Sequence, residues 1–205
     1  MIESLPDPVK VQLLSREQWH AALQSVLQSR PAEQGQAIAD RFLSAADGTS
    51  AEQARLLVAT QEATIVGVTL ARLQPGGTAL VWAPVVSGDK PHSTAASLVI
   101  AATAESQRSG ARLVQALLEV ETEAEVAPFL TAGFERTAEL LYLVSIESAF
   151  PHTLPAAMLQ FEPYSPDRHN RLADIVDRTY EGTLDCPQLN GVRDTHDADR
   201  AGRES

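Results

Sequence analysis

The residues Lys90-Pro91-His92-Ser93-Thr94-Ala95 follow the apolar run 84–86 and open a small-residue helical pattern that reaches Gln107. A strand, a polar turn and a helix in this order can hold an anion. The first N–H groups of a helix lack intrahelical acceptors, and the helix dipole favours negative charge there. Lys90 supplies a flexible positive charge. His92 lies where an imidazole can approach a phosphate. Ser93, Thr94, Ala95 and Ala96 are small enough for a ligand to come close to the backbone. An ordinary capped turn has the same look, and the spacing alone does not separate the two.

Other reactive side chains are sparse. Glu119 and Glu121 follow "RLVQALL" and are weak candidates for a general base. They fall near the carboxyl end of a strand, where ligands gather in open α/β sheets. Two solvated acids ahead of an acidic helix would read the same way. His20, His152, His169 and His196 show no metal-ligand spacing. The single cysteine, Cys186, excludes an intrachain disulfide and a cysteine-based zinc site. No GxSxG, Walker loop or HExxH occurs.

The elements that must position these residues are legible from their periodicity. "VKVQLLS" (9–15) alternates as a half-buried strand does. Ser15 is then an N-cap for a helix in which Trp19, Leu23, Val26 and Leu27 recur at helical spacing. "GQAIADRFLSAAD" is a second amphipathic helix, with Ile38, Phe42 and Leu43 on one face. Three β-rich runs follow at 54–61, 64–74 and 78–86, joined by short polar turns that favour antiparallel hairpins. After the helix that begins near Pro91, "ARLVQALLE" is a strand reached by a crossover, so it should be parallel to its predecessor. "EAEVAPFLTAG" is a short helix closed by Gly133, and "FERTAELLYLVSIE" is expected to form two last strands. The order predicts an α+β, three-layer fold, a mixed and mostly antiparallel sheet of about seven strands with helices on both faces.

The 205-residue chain has a net charge of −11, which argues against non-specific nucleic-acid binding and against an anionic membrane surface. No apolar run is long enough to span a bilayer, and the first ten residues lack the basic and apolar parts of a signal peptide. A cytoplasmic location is the expectation.

In order and wording, residues 9–147 resemble the GNAT acetyltransferase superfamily. In that family the fourth strand leads into the pattern [R/Q]-x-x-G-x-[G/A], whose backbone N–H groups hold the pyrophosphate of acetyl-coenzyme A. The matching residues here are Lys90 to Ala95, with Lys for Arg or Gln and Ser93 for the first Gly. "FLTAGFERTAELLYLV" (129–144) resembles the family's closing segment. The resemblance implies acetyl-coenzyme A as co-substrate and a small-molecule or peptide amine as acceptor. It implies a thioester carbonyl polarised by a backbone N–H of Val85 or Val86, since Pro84 has none. It also implies a difficulty. Phe129 stands where many members carry a tyrosine that protonates the leaving thiolate. An acyltransferase and a degenerate, non-catalytic scaffold therefore both remain open.

Residues 148–158 carry two prolines and read as a linker. Beyond them "MLQFEPYS" and "PDRHNRLADIVDRTYEG" resemble the first strand and first helix again. The domain expectation is a GNAT-like unit over 1–147 and an incomplete second copy with a disordered tail over 159–205. A homodimer, or docking on the first unit, would cover the apolar strand of such a fragment.

Overall fold

The computed structural model describes residues 9–28, 30–46, 53–88, 91–118, 123–139, 143–149, 162–163 and 165–182. The chain forms two compact units, Met1–Glu135 and Arg136–Ser205.

In the first unit, β1 (Lys10–Leu14) leads through a 3-10 turn, Arg16–Gln18, into α1 (Trp19–Leu27) and α2 (Ala32–Ala46). The turn at Ser15 is closed by the Gln18 side-chain oxygen, which accepts the Ser15 backbone N–H at 3.2 Å. Strands β2 (Ala54–Gln61), β3 (Thr64–Gln74), β4 (Thr78–Val81) and β5 (Val85–Val86) follow. Then come α3 (Pro91–Arg108), β6 (Leu113–Gln115) and α4 (Glu123–Thr131). The sheet runs β1-β2-β3-β4-β6, and β5 pairs with β3. β1 through β4 are antiparallel, while β6 lies parallel to β4. For β2 to β4 and for β6 the direction follows from connection length. Two-residue and three-residue turns fold a strand back, whereas an 18-residue helix carries it over to the same direction.

Side chains alternate between two cores because strand residues point to opposite faces in turn. Leu56, Val58, Val68 and Leu70 pack with Trp19, Leu23 and Val26 of α1 and Phe42 of α2. Leu57, Ala59, Ala71 and Val81 pack with Leu98, Val99 and Ala102 of α3 and Phe129 of α4. The sheet is thus sandwiched between two helix pairs. A fully buried Leu or Val contributes about 1.5–3 kcal/mol relative to exposure, so these two clusters hold the unit together.

The described sheet has six strands rather than about seven. The run 78–86 is broken into β4 and β5. Residues 134–139 and 143–146 carry no strand, and 140–142 lie outside the described residues. Leu143, Val144 and Ile146 are 84%, 87% and 66% exposed. The two last strands expected in "FERTAELLYLVSIE" are therefore not formed among the described residues, and a strand needs a partner for its backbone groups as well as β-prone residues.

In the second unit a 3-10 turn, Pro166–Arg168, precedes α5 (His169–Tyr180). The expected second linker-to-strand stretch, 151–161, and the tail, 183–205, lie outside the described residues. No described helix is long and apolar enough to cross a membrane.

Candidate functional site

The break between β4 and β5 builds the site. Three steps along β3, from Ala71 to Val68, oppose four steps from Val81 to Val85. One extra residue among Trp82, Ala83 and Pro84 therefore bulges out, as a proline in a strand requires when its missing N–H leaves the ladder. Two bonds fix the bulge: the Trp82 N–H donates to the Leu70 carbonyl at 2.9 Å, and the buried Thr69 hydroxyl donates to the Trp82 carbonyl at 2.7 Å.

The register also assigns the backbone of β5. The Ser87 N–H donates to the Val66 carbonyl at 2.8 Å. Antiparallel ladders alternate, so Val85 and Ser87 face β3 and the Val86 N–H points away from it. Meanwhile β6 pairs with β4 only over Thr78, Ala79 and Leu80. The chain from Trp82 to Val86 follows β3, and residues 116–118 carry no strand. The Val86 N–H thus faces the side from which β6 has departed.

α3 begins over this opening. Pro91, His92 and Ser93 are exposed on its first turn, while Thr94, Ala95 and Ala96 are buried at 3%, 4% and 5% exposure. Pro91 has no N–H, and the backbone N–H groups of His92 and Ser93 lie on the first turn, ahead of the helix's own i→i−4 ladder. The side chains of Thr94, Ala95 and Ala96 face the core, so anything they give a ligand is backbone. Lys90, Glu119 and Glu121 lie outside the described residues.

Gly67 explains how α3 comes so close to the sheet. A Cβ there would meet Leu98 Cδ1 at 2.9 Å, Val86 Cγ1 at 3.0 Å and Thr94 Cγ2 at 3.2 Å. Only glycine lets these three side chains meet over β3. A glycine inside an otherwise β-branched run, "TIVGVTL", was the available signal for a close approach, and it passed unused in the sequence reading. Thr131 was missed as well; its hydroxyl stands 3.3 Å from His92 Nε2.

Phe129 is 3% exposed and meets Phe134 edge-to-face, with ring centroids 5.2 Å apart. It is a core residue with no hydroxyl to offer. A separate cleft of about 380 Å³ lies between α1 and α2, against His20, Gln24, Arg30 and Gly35. None of the predicted site residues lines it. Among the described residues no group of three or more His, Cys, Asp or Glu could hold a metal.

Solved structures share this arrangement. A transcriptional regulator from Bacillus halodurans C-125 superposes with a TM-score of 0.51 at 13% identity, over 67% of this chain and all of that one. AAC(6')-Iy in complex with the bisubstrate analog CoA-S-monomethyl-acetylneamine gives 0.50 at 13% identity, over 68% of this chain and 99% of that one. The aminoglycoside N-acetyltransferase AAC(6')-Iy in complex with CoA gives 0.50 at 12% identity, over 71% and 99%. The chain shares the fold of these solved structures. No family model and no curated protein sequence matches the chain. At such identities the fold is shared, and residue roles are not transferred with it. Antiparallel β1 to β4, the crossover through α3 and α4 ending in "AGF" follow the order expected from the sequence, while the two closing strands expected after α4 are not formed among the described residues.

Proposed function

We propose that the chain is a GNAT-like acyltransferase that takes an acetyl or other acyl group from acyl-coenzyme A and gives it to an amine. The observation that carries this reading is the opening beside β5. There a bulge, the outward Val86 N–H and the first turn of α3 occupy one end of the sheet.

The residues fit an acyl-coenzyme A on two counts. The first-turn N–H groups of His92 and Ser93 would face a diphosphate as a helix N-terminus presents its donors. The close packing that Gly67 permits holds that turn directly over β5. Acyl-coenzyme A supplies an activated thioester. The Val86 N–H would donate to the thioester carbonyl oxygen, and such a donor stabilises charge as it develops. Lys90 would add a cation to the turn, and Glu119 or Glu121 would take the proton from an attacking amine. The acceptor would be a small-molecule or peptide amine, as the aminoglycoside in the name of AAC(6')-Iy is for that protein. A cytoplasmic setting fits the acidic, single-cysteine chain.

A second reading is favoured by one observation, the buried Phe129. With no hydroxyl there, the unit can bind coenzyme A without turning it over and serve as a scaffold. Calorimetric titration with acetyl-coenzyme A tests the binding common to both readings. Thioester loss over a panel of amines separates them. Heat of binding with turnover supports the acyltransferase, and binding without turnover supports the scaffold. No heat at millimolar ligand defeats the acyltransferase and leaves a scaffold without coenzyme.

For the second unit, residues 159–205 are proposed as the start of a second copy of the fold after a linker over 148–158.

A further inference from the structure

We infer that His92 is a positioning residue of the coenzyme site, tying the first turn of α3 to the end of α4 through Thr131. This rests on the coenzyme reading above.

His92 Nε2 and Thr131 Oγ1 are 3.3 Å apart, and the same hydroxyl lies 2.9 Å from the Ala127 carbonyl oxygen. A hydroxyl has one hydrogen and two lone pairs, and a carbonyl can only accept. Thr131 therefore donates to Ala127 and accepts from the imidazole. Nε2 carries a hydrogen, and in the neutral ring the lone pair sits on Nδ1. The Nε2–H is spent on Thr131 and is not offered to a phosphate.

Thr131 is a firm anchor because the end of α4 is fixed three times over. The Gly133 N–H donates to the Leu130 carbonyl at 3.1 Å, and the Phe134 N–H to the Phe129 carbonyl at 3.0 Å. Gly133 takes φ +87°, the left-handed conformation that such a stop needs. Phe129 is buried in the cluster that contains Leu98 and Val99 of α3. α4 is thus locked to the body of α3, and the His92–Thr131 bond extends that lock to α3's exposed first turn. His92 also carries one of the first-turn N–H groups that lie ahead of the helix's own ladder. Holding its ring holds its backbone, so the donors are ordered before a ligand arrives and less freedom is lost on binding.

The test uses the full chain. Imidazole nitrogen shifts, read in alkaline buffer where the ring is neutral, should show His92 as the Nε2–H tautomer, and Thr131→Val should erase the preference. Calorimetry with coenzyme A should show His92→Ala and Thr131→Val each weakening binding about fivefold, as loss of one hydrogen bond does. The double variant should lose no more than either single one, and His92→Gln, which keeps a donor at similar reach, should regain most of the affinity. A tautomer protonated at Nδ1 only, or unchanged affinity in both single variants, overturns the inference while the coenzyme reading stands. Wild type that binds no coenzyme A overturns both, whatever the tautomer. Thermal unfolding of each variant shows that the comparison is made on folded protein.

Discussion

The helices α1 and α5 begin alike and end differently. Each follows an extended serine, Ser15 or Ser165, and each enters through a three-residue 3-10 turn. In α1 the apolar stripe is covered: Trp19, Leu23 and Val26 are 3%, 1% and 1% exposed. In α5 Ala173 alone is buried among the described side chains, while Leu172 and Ile175 remain 44% and 47% exposed. The start of a helix is a local matter of capping and turn chemistry. Its burial is not local, because it depends on a sheet that the first unit builds from five further strands.

The largest expected effect follows from that contrast. Leu23→Ala should cost about 2–5 kcal/mol, whereas Leu172→Ala should cost less than about 1 kcal/mol. Both tryptophans, Trp19 and Trp82, lie in the first unit. Urea unfolding followed by their fluorescence therefore reads that unit alone. A large shift with Leu172→Ala would break the comparison, since α5 would then support the first unit's core.

Gly67 comes next. Gly67→Val forces a Cβ into Leu98 and Val86 and should cost about 1–3 kcal/mol by overpacking. It should also lower coenzyme A affinity by lifting the first turn of α3. Stability lost with affinity intact would separate the packing of that turn from the site.

The capping turn gives the smallest effect. Its Glu17 carboxyl is held below the usual carboxylate range by a backbone hydrogen bond first and by the Ser15 side chain second. A lowered folded-state pKa stabilises above the unfolded value, and that contribution is lost as pH falls through the folded one. Glu17→Gln should remove a slight loss of stability on acidification, seen as a flatter acid limb in thermal unfolding. Glu17 is fully exposed, so the effect should vanish in high salt. An equal flattening with Asp167→Asn, at the matching place before α5, would extend the likeness of the two starts.

These regions also mark where sequence reading succeeds. Hairpins, the crossover helix and the Gly133 stop were legible because turn residues and periodicity act over a few positions. Pro84 announced the bulge because a residue without an N–H cannot stay in a ladder. The run at 143–146 was expected as a strand and is exposed and unpaired as one, because β-prone residues record a preference and not a partner. The site was legible in outline through Lys90 to Ala96. Which N–H of β5 faces the opening was not, since the one-residue bulge decides it and each such slip reverses every direction. His92's partner was not legible either, as Thr131 lies 39 residues away and the fold alone brings them together.

The central claim is that the first turn of α3 and the Val86 N–H receive an acyl-coenzyme A. Titrating acetyl-coenzyme A into the wild-type chain and into Ser93→Glu, with calorimetry and melting temperature read together, tests it most directly. Wild type should release heat and melt higher, with about 2.7 kcal/mol gained at a hundredfold excess over Kd. Ser93→Glu should keep the ligand-free melting temperature and lose the heat, because its carboxylate stands where the diphosphate belongs. Equal binding by both proteins, or none by the wild type at millimolar ligand, would contradict the account.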